Sequence, residues 1–324
     1  MNILVTGSSG WLGQTLVPRL VRDGHKVVGL DPEPGPTTGV VGSVVDRALV
    51  RHLVRDHGIE AIVHGAARHK PHIETHDNSE FVAVNVQGTL NLLEEAVAPG
   101  SKVDRFVFTS TTSLMISQKI RDGKAAGARE AMWIDETLAP LEPRNIYGVS
   151  KRAAEELCRL FNHLHELPIV ILRTSRFFPE EDDMAHAIEQ SGDNTKANEF
   201  LFRRLSVEDA AEAHVAALAK AREIGFDTFI VSAMTPFSRA DCRQLIVDAP
   251  AVVARYFPDY RELYDRRGWT MFASIDRVYD ASKARDRLGF VCRTGFKEVL
   301  DGLRDDSFLP SEAGEVSAKR TEGS

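Results

Sequence analysis

The chain has 324 residues, enough for one large or two modest domains with a real hydrophobic core. Its 47 acids and 40 Lys and Arg leave a net charge of −7, mixed along the chain rather than blocked, which speaks against a nucleic-acid surface or an anionic-membrane partner. No apolar run approaches the ~20 residues that span a bilayer. The three scattered cysteines (Cys158, Cys242, Cys292) fit a reducing compartment, and the first residues read as a strand without a basic leader, so a cytoplasmic protein is expected.

An apolar run at 3–6 leads at once into Gly7-Ser8-Ser9-Gly10-Trp11-Leu12-Gly13 and an amphipathic helix over 11–22. A glycine turn between a strand and a helix builds a phosphate site. Gly7 permits the tight turn, Gly10 lets a pyrophosphate approach the backbone, and Gly13 lets the helix pack on the strand. The helix N-terminus offers unpaired N–H groups and a positive dipole end. The spacing is G-x-x-G-x-x-G, and its place directly after a strand makes it a dinucleotide signal. A second apolar run, 26–30, ends at Asp31, about 20 residues beyond the glycines, where an acid holds a ribose diol. A carboxylate there repels a 2′-phosphate and favours NAD over NADP. Asp31 also opens the turn Asp31-Pro32-Glu33-Pro34.

Further strands are expected at 61–64, 105–109, 169–173 and 226–231, alternating with helices over 48–57, 82–96, 147–165 and 207–221. That alternation predicts an α/β fold, a Rossmann-type doubly wound parallel sheet covered on both faces. From about residue 179 the pattern changes. Acidic 180–183, polar 190–198 and short segments around Tyr256, Trp269 and Tyr279 read as irregular. The expected division is a NAD-binding Rossmann domain of 1–173 plus 207–233. A smaller, discontinuous C-terminal substrate domain of 174–206 plus 234–304 and a disordered tail, 307–324, complete it.

The chemistry is expected at two stretches. Thr109-Ser110-Thr111-Thr112-Ser113 ends a strand, where open α/β sheets bind ligands; most of these hydroxyls are expected only to cap the strand end. Tyr147-Gly148-Val149-Ser150-Lys151 places Tyr and Lys four apart, on one helix face. A phenol with a pKa near 10 is a poor base, and lowering it by about three units needs roughly 4 kcal/mol. One ammonium about 4 Å away at an effective dielectric near 20 supplies about that much. Tyr147 could then take a proton from a substrate hydroxyl while hydride leaves the same carbon. Lys151 could also hold the nicotinamide ribose. His64, His69, His72 and His76 carry no complete ligand set, and Pro71 interrupts them, so no metal is expected; His69 or His72 could reach substrate.

Together these residues resemble the extended short-chain dehydrogenase/reductase family, in its NAD-dependent epimerase/dehydratase branch. Ile62-Val63-His64-Gly65-Ala66-Ala67, Asn85-Val86-Gln87-Gly88-Thr89, Val207-Glu208-Asp209-Ala210-Ala211 and Asp280-Ala281-Ser282-Lys283-Ala284-Arg285 resemble further family segments, so the likeness runs from residue 2 to about 300. The resemblance implies a catalytic set of Thr111, Tyr147 and Lys151, with Thr112 as the alternative hydroxyl. For NAD it implies Gly7, Gly10, Trp11, Leu12, Gly13, Asp31, Gly65, Ala66, Ala67, Asn85, Thr109, Ser110, Tyr147, Lys151 and Thr174. The family often has Gly-Asp where this chain has Gly42-Ser43, so backbone at Val44 is expected to take the adenine contact instead. The resemblance also implies a homodimer joined by helices 82–97 and 147–166.

The implied activity is oxidation of a hydroxyl of a sugar or nucleotide sugar, of the epimerase/dehydratase type. The stretch 118–133 is longer than the family usually shows and reads as an inserted loop or helix at the active-site rim. Nucleotide-sugar members often have Asn where Arg176 stands. The surroundings of Arg173 are also similar to uronate dehydrogenases of the family, so a free sugar-acid dehydrogenase releasing NADH is the first alternative. A non-catalytic dinucleotide-binding sensor or scaffold is the second. Arg176, Arg203, Arg204 and His69 are the expected substrate ligands, although Arg203 and Arg204 could instead pair with Glu199 or Glu208.

Overall fold

A computed structural model describes residues 1–177 and 190–305. The acidic run 180–183 and the tail 307–324 lie outside them. Strands β1 (Asn2–Thr6), β2 (Lys26–Asp31), β3 (Val40–Val41), β4 (Ala61–His64), β5 (Arg105–Thr111), β7 (Ile169–Thr174) and β8 (Phe226–Val231) form one parallel sheet in the order β3-β2-β1-β4-β5-β7-β8. The strands read as continuous apolar runs because both faces are covered. On one side α1 (Trp11–Arg22) and α6 (Val207–Ile224) pack Leu16, Leu20, Ala213 and Ala217 against Val5, Val63, Val107 and Leu172. On the other, α2 (Arg47–Asp56), α3 (78–96) and α4 (Ile146–His165) pack Leu53, Leu92, Leu93, Ala154 and Cys158 against Leu4, Ile62, Phe106 and Phe108.

Helix α3 starts four residues earlier than the sequence predicts and is not regular. Its segment Val82–Gln87 is π-helical, between the α-helical turns Asn78–Phe81 and Gly88–Ala96. Strand β5 runs two residues past its expected end, because Ser110 and Thr111 pair in register with Arg173 and Thr174.

The C-terminal part is more ordered than its composition suggests. The polar stretch 190–198 is not irregular: Gly192–Glu199 is helix α5, capped by Ser191, whose Oγ accepts from the Asn194 N–H at 3.2 Å. Its polarity serves a buried network. Asn194 and Asn198 both donate to the Thr270 carbonyl (3.0 and 2.8 Å), and the Tyr264 hydroxyl donates to Asn198 at 2.9 Å. Around Tyr256, Trp269 and Tyr279, the helices α7 (Ala249–Tyr256) and α8 (Tyr260–Arg267) and the strand β9 (Arg277–Tyr279) replace the expected irregular chain. The insertion 118–133 contains a short helix, Gln118–Asp122, and leads into β6 (Met132–Ile134), which pairs in parallel with β9. Ala131 and Trp133 join a second core with Phe200, Phe202, Leu245, Tyr264 and Leu300 from α9 (Phe296–Arg304).

Candidate active site

The chain leaves β1 for β2 and β3 on one side, then returns to lay down β4 on the other. Ligands of open α/β sheets bind at such a switch point, beyond the strand ends. A cavity of about 690 Å³ lies there.

Gly7 has φ +76°, and a Cβ on it would meet Ala66 N at 2.8 Å. A Cβ on Gly13 would meet Gly7 O at 2.3 Å, so close approach of helix and loop requires glycine. Gly10 differs. Its nearest obstacle is Gly7 O at 3.4 Å, and it lies on the cavity wall. Packing within the chain does not demand a glycine there, whereas a ligand against the backbone would. Gly10 caps α1 without a side-chain bond, and no acid sits in the first turn, so the dipole end is left to an anion.

Asp31, buried at the end of β2, accepts from the N–H of Ser9 (3.0 Å) and of Glu33 (2.9 Å), one bond to each oxygen. Asp31 thus opens the turn and also lines the cavity, and each of its oxygens has capacity to accept a further bond. The Asn-Val-x-Gly-Thr segment backs the cavity at Val44. A Cβ on Gly88 would meet Val44 Cγ2 at 2.5 Å. The Asn91 amide donates to the carbonyls of Val44 and Val45, both at 3.0 Å. Thr89 donates to Asn85 O (2.7 Å), so the His64 Nε2–H donates to Thr89 (2.9 Å) and His64 Nδ1 accepts from the Thr6 hydroxyl (2.7 Å). Burial, and secondarily the charge on Lys151, holds the His64 pKa well below the usual histidine value.

All five residues of the hydroxyl run, Thr109 to Ser113 at the end of β5, line the cavity. The Thr109 hydroxyl donates to His214 Nε2 at 2.8 Å, since Nδ1 donates to Ala210 O; burial pulls the His214 pKa down to about 4. Ser110 donates to Glu155 at 2.6 Å and Thr112 to the Thr174 carbonyl at 3.4 Å. Thr111 accepts from the Ser113 N–H at 3.1 Å, which spends a lone pair and not its proton. Among the described residues, Thr111 and Ser113 are the two of these five whose hydroxyl protons have no acceptor.

Tyr147 and Lys151 lie on the same wall, one turn apart on α4. Asn145 caps this helix by accepting from the Gly148 N–H at 2.9 Å. The Lys151 ammonium sits 4.0 Å from the centre of the Phe108 ring, with no hydrogen-bond partner among the described residues. Burial pulls its pKa down to about 7. A buried ammonium on a cavity wall without an acceptor fits a polar ligand group beside it.

The remaining expected cofactor residues Trp11, Leu12, Val44, Gly65, Ala66, Ala67 and Thr174 also line the cavity, as do His69, Arg176 and Arg203. Two expected ligands do not. Asn85 is buried behind the wall, where its amide bonds the Arg68 backbone on both sides (2.7 and 2.8 Å) and donates to Ser150 (2.9 Å). Arg204 is buried against Glu199 (2.7 Å). Arg203 lines the cavity and also pairs with Glu199 (2.8 Å).

Sequence reasoning missed Arg121, Arg144 and Arg277, which line the same cavity. Arg121 belongs to the insertion, whose excess of Lys and Arg was its visible signal; Arg277 comes from β9, which carries no local one. With Arg68, Arg176, Arg203 and Lys151, seven cations face the cavity against Asp31, Glu33 and Glu199.

A family model described as "NAD dependent epimerase/dehydratase family" matches residues 3–231. The chain is 29% identical over 191 residues to a putative UDP-glucose 4-epimerase of Methanocaldococcus jannaschii, a match covering 56% of this chain and 57% of that relative. It is 28% identical over 352 residues to a dTDP-glucose 4,6-dehydratase of Xanthomonas campestris pv. campestris, covering 95% and 93%. Its fold is similar to the crystal structure of UDP-glucuronic acid 4-epimerase from Bacillus cereus in complex with UDP-glucuronic acid and NAD, with TM-score 0.64, 21% identity and coverage of 94% and 98%.

Proposed function

The chain belongs to the NAD-dependent epimerase/dehydratase family of enzymes, and from that premise we propose that it oxidises a hydroxyl of a sugar nucleotide, with Tyr147 as the base. The observation that carries this reading is one cavity lined by the glycine loop, Asp31, Tyr147, Lys151 and several arginines. The loop and Asp31 suit a dinucleotide, and the arginines suit the anionic part of a substrate. The names of the relatives, UDP-glucose epimerase and dTDP-glucose dehydratase, support a sugar nucleotide.

NAD would lie against Gly7, Gly10 and Gly13, with its diols toward Asp31 and Lys151. When bound, it supplies the hydride acceptor. The protein's own part is proton handling. Tyr147 takes the proton of the substrate hydroxyl, and the Lys151 ammonium stabilises the phenolate that does so. The Thr111 hydroxyl donates to the substrate oxygen and orients it, with Ser113 beside it. Arg121, Arg144, Arg176, Arg203 and Arg277 hold the substrate's acidic group.

Arg176, standing where nucleotide-sugar members often carry Asn, favours a second reading: a free sugar-acid dehydrogenase. Stoichiometry separates the two. The purified protein is incubated with NAD and either UDP-glucose, UDP-glucuronic acid, dTDP-glucose or free glucuronate. Conversion of a sugar nucleotide without net NADH supports the first reading. Steady NADH accumulation with glucuronate alone replaces it by the second. No turnover with any acidic sugar, despite NAD binding, contradicts both.

A further inference from the structure

One turn beyond Lys151, the same helix buries a carboxylate that no step of the proposed reaction uses. Glu155 is 5% exposed and fully engaged. Arg173 on β7 grips it with two bonds, Nε to Oε1 at 3.0 Å and Nη2 to Oε2 at 2.7 Å. Ser110 on β5 donates to Oε1 at 2.6 Å. Ser110 and Arg173 are register partners in the sheet, so the three residues join α4 to two strands within the hydroxyl run.

An ion pair this deep is poorly explained by stability, because the cost of dehydrating both charges offsets most of their attraction. An apolar pair would fill the same space. The location suggests another use. Lys151 is 2% exposed, and its ammonium rests on Phe108 and has no hydrogen-bond partner among the described residues to steady its charge.

We infer that Glu155, clamped by Arg173 and Ser110, is a positioning residue that keeps the Lys151 ammonium charged and directed into the cavity. The inference rests on the proposed role of Lys151 beside Tyr147.

The groups around Lys151 leave little else for the task. Glu155 and Cys158 on α4 and His64 from β4 act on its charge, Tyr147 lies one turn before it, and Phe108 of β5 lies under it; Ser110 of β5 and Arg173 of β7 stand behind Glu155. Burial lowers the Lys151 pKa, and Cys158 and Glu155 oppose it. Burial also drives the Cys158 pKa far up, so at neutral pH it is an uncharged thiol. His64 is neutral as well. Glu155 is the carboxylate left to hold the proton on Lys151.

The sign follows. Replacing Glu155 by Gln removes the anion and leaves Arg173 as an uncompensated cation, so Lys151 loses its proton at lower pH. Replacing Arg173 by Met leaves the anion, so Lys151 titrates where it did or higher. A merely structural pair would loosen the site alike in both variants.

The test is the titration midpoint of Lys151 in full-length protein labelled with ε-13C-lysine, read by NMR, with Lys151→Met identifying the signal. The expected result is a midpoint lowered by about one unit or more in Glu155→Gln and not lowered in Arg173→Met. Where a single variant does not fold, the uncharged double variant Glu155→Gln/Arg173→Met serves, with a midpoint below wild type. An unmoved midpoint in folded Glu155→Gln, or an equal fall in both single variants, overturns the inference. The experiment needs no substrate, so the two failures separate. Undiminished turnover by Lys151→Met would instead overturn the reading of the site.

Discussion

Two glycines three residues apart answer to different physics. Gly13 is fixed by the chain, since a methyl group would sit 2.3 Å from Gly7 O and 2.5 Å from Ser8 Cα. Gly10 is fixed by nothing nearer than 3.4 Å. Gly13→Ala is therefore expected to destabilise the fold by about 3 kcal/mol, as overpacking does. Gly10→Ala should melt within about 0.5 kcal/mol of wild type yet bind NAD at least ~10-fold more weakly. Thermal melts and NAD calorimetry read both; equal losses of stability would contradict the distinction. At this scale the sequence was legible wherever function depends on local spacing. Glycines at fixed intervals and Tyr four before Lys constrain each other through one turn or one helix. Asn85 and Arg204 could not be placed this way. Each lies on the expected segment, and only the direction of its side chain, set by Arg68 and Ser150 or by Glu199, takes it off the cavity wall.

Elements of the sheet could be read because a buried parallel strand is an apolar run and its covering helix has an apolar stripe. β6 and β9 could not. Each has three residues, and they pair across about 145 positions of chain, so neither has a local pattern. The polar face of α5 misled for a related reason: Asn194 and Asn198 are buried and spend their amides on Thr270, which composition cannot distinguish from solvation. A similar buried stitch holds the C-terminal segment. Asp209, in the first turn of α6, accepts from the N–H groups of Arg293 (2.8 Å) and Thr294 (2.9 Å) and from the Ser206 hydroxyl (2.8 Å). Asp209→Asn swaps one acceptor oxygen for a donor facing donors. It should cost about 1–3 kcal/mol with NAD affinity kept. A melt unchanged from wild type would show that the stitch carries no load.

The whole molecule carries net charge −7, yet among the described residues the charged side chains that line its cavity are mostly cations, a contrast that favours an acidic ligand in one place over general anion binding. Among the described residues no helix is long and apolar enough to cross a membrane. Val149, Leu160 and Leu164 on α4 are exposed, and so is Val82 on α3. The three on α4 are spaced 160 − 149 = 11 and 164 − 160 = 4 residues, about three turns and one turn, and so form one stripe. We propose that this stripe joins two copies of the chain. Leu160→Glu/Leu164→Glu should turn a dimer into a folded monomer in size-exclusion light scattering, and a monomeric wild type would refute the interface. The second core around Phe202 and Tyr264 we propose as the substrate-binding domain, since the neighbouring Arg203 and Arg277 reach the cavity from it.

Tyr147 is where these scales meet: a phenol on a well-capped helix, one turn from a buried ammonium, lining the cavity at the switch point of the sheet. Its conversion to Phe removes one oxygen and leaves the cavity's shape. The decisive measurement is turnover of the preferred acidic sugar by Tyr147→Phe, alongside its NAD affinity by calorimetry. A fall of at least ~10²-fold in kcat with NAD binding unchanged is expected. Turnover by Tyr147→Phe at the wild-type rate would contradict it.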